Sequence, residues 1–150
     1  MATFRERPYG QFNFLVQIEN GDAKATIAGF QEAGGLGLEI TVAEYRPGNY
    51  KENSPLKITL LNKVPDVTLK RGVIGSLDLI EWLNQVRDGS QEALKTVLIQ
   101  LQDESHSDPV QKWRLTNARP IKYTGPTLSG KGTDVAMEEL VLASERIDIE

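Results

Sequence analysis

The sequence of 150 residues contains no cysteine. That excludes disulfide stapling, thiol nucleophiles and thiolate metal sites. No apolar run approaches the roughly 18 residues that a membrane-crossing helix needs, so no membrane anchor is expected. Basic charge is not in excess either: 17 Lys and Arg stand against 21 Asp and Glu, a formal net charge of -4. A general nucleic-acid binder usually shows the opposite balance, although a local basic patch stays open. Histidine occurs once, as His106. The first eight residues include an acidic side chain and no apolar core, unlike a signal peptide, so cytoplasmic synthesis is expected.

What is present suits a folded β protein. Apolar residues make up 39% and charged residues 25%, too apolar a mixture for disorder. The length fits a single domain over residues 1–150. Phe12, Phe14, Val16 and Ile18 alternate with mostly polar neighbours, the period of a strand with one buried face. Asn20, Gly21 and Asp22 then signal a turn, and residues 24–30 can return as a short strand. The glycines at 34, 35 and 37 suit tight backbone geometry or close chain approach. Ile40 and Val42 stand at strand spacing. Residues 45–55 form the most polar connector, a loop or projecting hairpin that a partner would order.

Further along, Leu56, Ile58 and Leu60 alternate, and Val67 and Leu69 resume after a break. Residues 76–87 read as the one good helix, with Ser76 as cap, Leu79, Ile80, Trp82, Leu83 and Val86 on the apolar side, and Gly89 as stop. So short a helix needs a sheet to pack against. Val97, Ile99 and Leu101 make another strand, followed by a turn at 103–109. Trp113 and Leu115 open the next, and Pro120 marks an edge or bulge before Ile121 and Tyr123. In residues 135–143 both faces carry apolar side chains, so both are expected to be covered. The fold class is mainly β: a barrel or tight sandwich of about seven or eight strands with one short packed α-helix.

The search for chemistry returns little. Gly35-Leu36-Gly37 lacks the third glycine and the following helix of a dinucleotide fingerprint, and Gly130-Lys131-Gly132-Thr133 lacks phosphate-loop spacing. His106 lies among Glu104, Ser105, Ser107 and Asp108, the composition of an exposed turn, where neighbouring side chains do not converge on one proton. A metal site built there with Asp103, Glu104 or Asp108 would lack the regular calcium-loop spacing. Glu138 and Glu139 point opposite ways on a strand and cannot act as an acid and base pair, and Lys70 and Arg71 diverge likewise. One of the two glutamates is expected to face inward or into an interface, where it would need a basic partner; of Lys70 and Arg71, one is expected in an intersubunit salt bridge and the other on a channel wall, against the simpler reading of a solvated surface pair. Phe12, Phe14, Trp82 and Trp113 are read as core anchors. No catalytic group, cofactor or metal site is assigned.

Several segments together resemble the tail tube proteins of contractile phages, including the inner tube proteins of phage-tail-like extracellular contractile injection systems and contractile bacteriocins. They are Pro8-Tyr9 with Phe12-Asn13-Phe14; Gly29-Phe30 through Gly34-Gly35-Leu36; Glu44-Tyr45-Arg46-Pro47-Gly48; and Leu69-Lys70-Arg71-Gly72-Val73 with Trp82 beyond it. Trp113 with Asn117-Ala118-Arg119-Pro120 and Lys122-Tyr123, and Ala136-Met137-Glu138-Glu139-Leu140, complete the set. Two departures stand out. Arg119 replaces a usual tryptophan, and Ala143-Ser144-Glu145-Arg146 replaces the usual ending.

The resemblance implies a non-enzymatic structural subunit. Six copies would close a ring, and rings would stack into a tube with a central channel, driven through a target envelope by contraction of a sheath. Implied partners are further copies of the chain, a sheath protein, baseplate or hub and terminator proteins, and protein cargo or phage DNA in the lumen. The assembled location is a phage-tail-like particle or virion, released outside the cell in the injection systems. On this reading Glu44, Tyr45, Arg46, Asn49, Tyr50, Lys51 and Glu52 make the inter-ring loop. Lys70, Arg71, Glu138 and Glu139 lie at a subunit interface or the lumen, and Asp78, Glu81 and Gln85 face the sheath from the outer side of the helix. The acidic balance would give a wall to which acidic cargo does not stick. A phage tail tube conducting DNA is the alternative within the resemblance, and the ring component of type VI secretion a third. A monomeric β-barrel binding module, or a hydrolase built around His106, are the readings outside it.

Overall fold

The computed structural model describes residues 6–19 and 26–150; the turn expected at Asn20 to Asp22 and the beginning of the returning strand lie outside them. Among the described residues the chain forms ten strands and one α-helix. These are β1 (Phe14–Glu19), β2 (Thr26–Ala28), β3 (Glu32–Gly34), β4 (Glu39–Tyr45), β5 (Leu56–Lys63), β6 (Val67–Gly72), α1 (Asp78–Arg87), β7 (Lys95–Gln102), β8 (Pro109–Thr124), β9 (Met137–Ala143) and β10 (Arg146–Ile149). All pairings are antiparallel. The main sheet runs β2-β1-β7-β8-β9-β6-β3, with β10 on β8, while β4 and β5 pair only with each other.

Chain connectivity forces the main sheet to curl. Its two edge strands, β2 and β3, are consecutive in sequence and separated by residues 29–31 alone. Even a fully extended link spans about 3.3–3.6 Å per residue, so the edges of this path meet on one side of the molecule. The bend is made in β8, whose first half pairs with β7 and β10 and whose second half pairs with β9. Asn117 there takes a left-handed φ of 52°. The register to β9 slips between Pro120 and Lys122, so a proline without an N–H sits at a bulge, where a ladder donor is dispensable.

The enclosed core holds Val16, Val67, Leu69, Val97, Ile99, Leu115, Leu140 and Leu142, each at most 1% exposed. Their period-two spacing is the one visible in the sequence. Helix α1 adds Leu79 and Trp82 to the same cluster. The Trp82 indole donates to the Ala93 carbonyl at 2.6 Å, and the Lys95 ammonium lies 5.1 Å from its ring centre. The helix ends in a Schellman arrangement: Gly89, at φ 79°, donates to Val86 and Ser90 donates to Gln85. Its start differs from expectation. Leu77, not Ser76, occupies the N-cap position, and the Ser76 hydroxyl turns to the Asp78 carboxylate at 2.8 Å instead of capping the backbone. Gly35, at φ 83°, is required where it stands, because a Cβ would collide with the Asp66 carbonyl oxygen.

Phe12 departs from the expected core set. Pairing of β1 with β7 begins at Phe14 opposite Leu101, which leaves Phe12 before the strand and 74% exposed. Phe14 and Trp113 are half-buried at the core's margin, and Trp82 is fully buried.

Candidate assembly surfaces

The ribbon β4–β5 is the most unusual element. Ala43 pairs with Ile58 and Tyr45 with Leu56, so alternation places these four on one face together with Leu60. The opposite face carries Val42 opposite Thr59, Glu44 opposite Lys57 and Ile40 opposite Asn62, with a bulge between Ile40 and Val42. Every β5 residue is exposed, Leu61 to 83%. The ribbon packs substantially on no other element. An isolated two-stranded ribbon is marginal in water, so this one is built to be covered.

Its tip brings the expected loop residues together. Arg46 donates to the carbonyls of Tyr50 and Glu52, both at 2.9 Å, and the Tyr50 amide donates to Pro47. Glu44, Tyr45, Asn49, Lys51 and Glu52 project into solvent around this folded turn, with Tyr50 half-buried.

At the other end of the main sheet, β6 and β9 sort four charges by face. Lys70 pairs with Glu139 and Arg71 with Glu138 in the register. Lys70 and Glu139 stand on the outer face, where the Lys70 ammonium is 4.0 Å from Glu32. Arg71 and Glu138 are only 5% and 7% exposed and lie inside the subunit, which corrects the interface or channel position for Arg71 and takes the inward alternative for Glu138. The reason is alternation itself: Val67, Leu69 and Arg71 share a face, as do Glu138, Leu140 and Leu142.

Burial there demands partners, and they are present. The Arg71 guanidinium donates through Nε to Glu138, and through Nη2 to Asp78 at 2.9 Å; the Phe30 ring centre is 5.9 Å away. Tyr123 donates its hydroxyl to the second Glu138 oxygen at 2.9 Å. Burial alone disfavours the Arg71 charge, but the bonds to Asp78 and Glu138 outweigh it and raise the pKa. For Asp78 burial likewise opposes ionisation, yet the Arg71 and Ser76 hydrogen bonds hold the carboxyl below its ordinary value. Asp78 thus belongs to this cluster although it is partly open to solvent, and Glu81 and Gln85 are exposed without a place in it. The Glu138 bond also pushes the Tyr123 hydroxyl up.

Two further features carry no signal in the sequence pattern. The first is β3 itself, a three-residue edge strand whose Glu32, Ala33 and Gly34 show no apolar alternation; pairing with β6 defines it. The second is a groove of about 780 Å³ in which Phe12, Phe14, Leu36, Leu101 and Trp113 are joined by the polar Tyr9, Gln11, Gln31 and Glu32. His106 sits apart from all of this in an exposed turn at φ 57°. The nearby Asp103 carboxylate is held below its usual range, first by the Ser105 hydroxyl. Among the described residues no group of three His, Asp or Glu is placed to hold a metal ion.

A family model described as T4-like virus tail tube protein gp19 matches residues 10–148. No curated protein sequence matches the chain. Among solved structures, the chain is similar to one in the anti-feeding prophage (AFP) baseplate, 6-fold symmetrised: 24% identity, 97% of each chain covered, TM-score 0.86. It is similar also to one in the sheath-tube complex of the extracellular contractile injection system PVC in its extended state, with 24% identity, coverage of 97% of this chain and 93% of that one, and TM-score 0.83. A third likeness, to a chain of the anti-feeding prophage tube terminating cap, has 25% identity and covers 100% of this chain and 95% of that one at TM-score 0.83. The two at 24% establish the fold.

Proposed function

The chain belongs to the family of the T4-like virus tail tube protein gp19, and on that premise we propose that it is a subunit of the inner tube of a contractile injection machine, closing hexameric rings that stack around a central channel. The observation that carries the assembly is the uncovered ribbon β4–β5, which has an apolar face that no other described element of its own subunit buries. The short edge strands β2 and β3 supply the second requirement. Among the described residues each is paired along one side only, and edge-to-edge addition of a neighbour's strand would satisfy the backbone groups of the other side and join the subunit sheets around a ring. Cyclic closure fixes ring size, and head-to-tail contacts between rings permit continued stacking.

The roles follow from placement. The ribbon tip, with Glu44, Tyr45, Arg46, Asn49, Tyr50, Lys51 and Glu52, reaches the adjacent ring. Glu81 and Gln85 on the outer side of α1 meet the sheath, with Asp78, itself exposed, tying the start of that helix to Arg71. Lys70 and Glu139, both half-buried, supply charges on the outer face near the β3 edge. The work is mechanical and needs no catalytic group. The similar chains found in sheath-tube, baseplate and cap assemblies support sheath, baseplate and terminator partners and a place in a phage-tail-like particle.

Co-expression with the sheath and baseplate proteins encoded beside it, followed by negative-stain imaging, tests this. Sheathed particles with a continuous inner tube containing this chain are expected. Assembled sheath and baseplate around an empty bore, with the chain left as a free monomer, would contradict the proposal.

A further inference from the structure

Helix α1 is held on the sheet by two kinds of contact. Leu79 and Trp82 are buried and join the core cluster. Such packing resists lifting the helix off, but it is non-directional and by itself tolerates rotation or sliding. The Trp82 indole bonds Ala93, which lies in the link from α1 to β7 and not in the sheet. Among the described residues, one side-chain hydrogen bond joins α1 to the sheet: the Arg71 guanidinium on β6 donates to the Asp78 carboxylate. From there the bonding continues sideways. Arg71 donates to Glu138 on β9, and Tyr123 on β8 donates to the other Glu138 oxygen. The row Asp78–Arg71–Glu138–Tyr123 thus runs from the helix across three neighbouring strands.

Stability alone does not account for this row. Apolar side chains of similar volume commonly match or exceed a buried ion pair, and two positions along the same strands Leu69 already pairs with Leu140. What apolar packing would not supply is direction. Hydrogen bonds from a planar guanidinium hold their acceptors within a narrow range of distance and angle. Asp78, Glu81 and Gln85 are spaced three and then four residues apart, which places them on one stripe of the helix. Whatever fixes Asp78 about the helix axis therefore also fixes the exposed Glu81 and Gln85.

We infer that Arg71, braced by Glu138, is a positioning residue that acts through Asp78 to set the rotation of α1 on the sheet, and so aims the Glu81–Gln85 stripe at a partner protein. This rests on the tube reading above, in which that stripe meets the sheath, and adds the residue that aims it. The role is separable from folding, because an apolar replacement of the buried pair keeps the core filled while it releases the helix from its directional tie.

The test uses Arg71→Met with Glu138→Leu, which removes both buried charges together, and Asp78→Ala, at an exposed position where no cavity opens. Both are expected to keep the wild-type circular dichroism and to form tubes. Backbone amides of residues 81–85 are expected to exchange with deuterium roughly tenfold faster than in wild type, while those of Val97 to Ile99 keep wild-type rates. Capture of the neighbouring-gene sheath protein by pre-formed tubes is expected to fall by about the same factor in both variants. Asp78→Ala decides the matter alone if the double variant does not fold. Wild-type exchange in α1 of a folded variant would overturn the inference and leave the row as part of the core, and so would faster exchange with undiminished sheath capture. Glu81→Lys with Gln85→Lys, on the intact row, separates the two readings. Unchanged capture in that variant would remove the sheath assignment, while the exchange rates still decide whether Arg71 positions the helix.

Discussion

At the scale of single residues, Arg71 is the side chain on which most of the structure converges. Its guanidinium joins β6 to Glu138 on β9 and Asp78 at the start of α1, with Phe30 of the link between the sheet edges beside it. Removing one partner of a buried ion pair leaves the other charge uncompensated, at a cost of about 3–5 kcal/mol. Arg71→Met should therefore lower unfolding free energy by about that amount in urea titrations, and Arg71→Met with Glu138→Leu should recover much of the loss. Asp78 gives a pH signature. Its carboxyl is held below the ordinary value, so its contribution is complete above the unfolded-state value and is lost as pH falls through the folded one. That window lies below about pH 4. Asp78→Asn should be less stable at neutral pH and show a shallower loss on acidification, read from melting temperature against pH. The position of Arg71 is legible in the sequence: it stands two residues beyond Leu69 and four beyond Val67, on their face, although its charge suggests an outer surface.

At the scale of elements, the sequence pattern locates strands better than it locates what covers them. Core positions and ribbon positions share one period. Val67 and Leu69 alternate on β6 in the same way as Leu56, Ile58 and Leu60 on β5, yet the first pair is buried and the second set is about half exposed. Period-two alternation reports that a face is to be buried, not whether its cover comes from the same chain. The contrast is measurable. Leu69→Ala should cost about 2–5 kcal/mol of monomer stability, whereas Ile58→Lys should change it by no more than about 0.5 kcal/mol. Other elements escape for different reasons. β3 is too short to show a period, and its Glu32-Ala33-Gly34 has no apolar face. The strand start at Phe14 depends on pairing with Leu101, a long-range contact, so the alternation of Phe12 with Phe14 extends the apparent strand beyond its true start. Helix α1 is legible through its apolar side and Gly89, but its first residue is not, because the Ser76 hydroxyl bonds Asp78 instead of the backbone.

At the scale of the whole molecule, the fold is a curled antiparallel sheet whose edges are brought together by a short link, with a ribbon that no other described element covers. Each of these features is a deficit in the isolated subunit that a neighbour can make good. Assembly should then stabilise the fold by mass action, so the melting temperature of the wild-type chain should rise with protein concentration, while Ile58→Glu with Leu60→Glu should melt independently of it. The most direct test of the account is a cryo-electron microscopy reconstruction of the assembled protein. The account predicts six subunits per ring, sheets continuous across the β2 and β3 edges around an open channel, and every ribbon buried against another copy. Rings or filaments whose ribbons stay solvated and whose edge strands stay unpaired would contradict it.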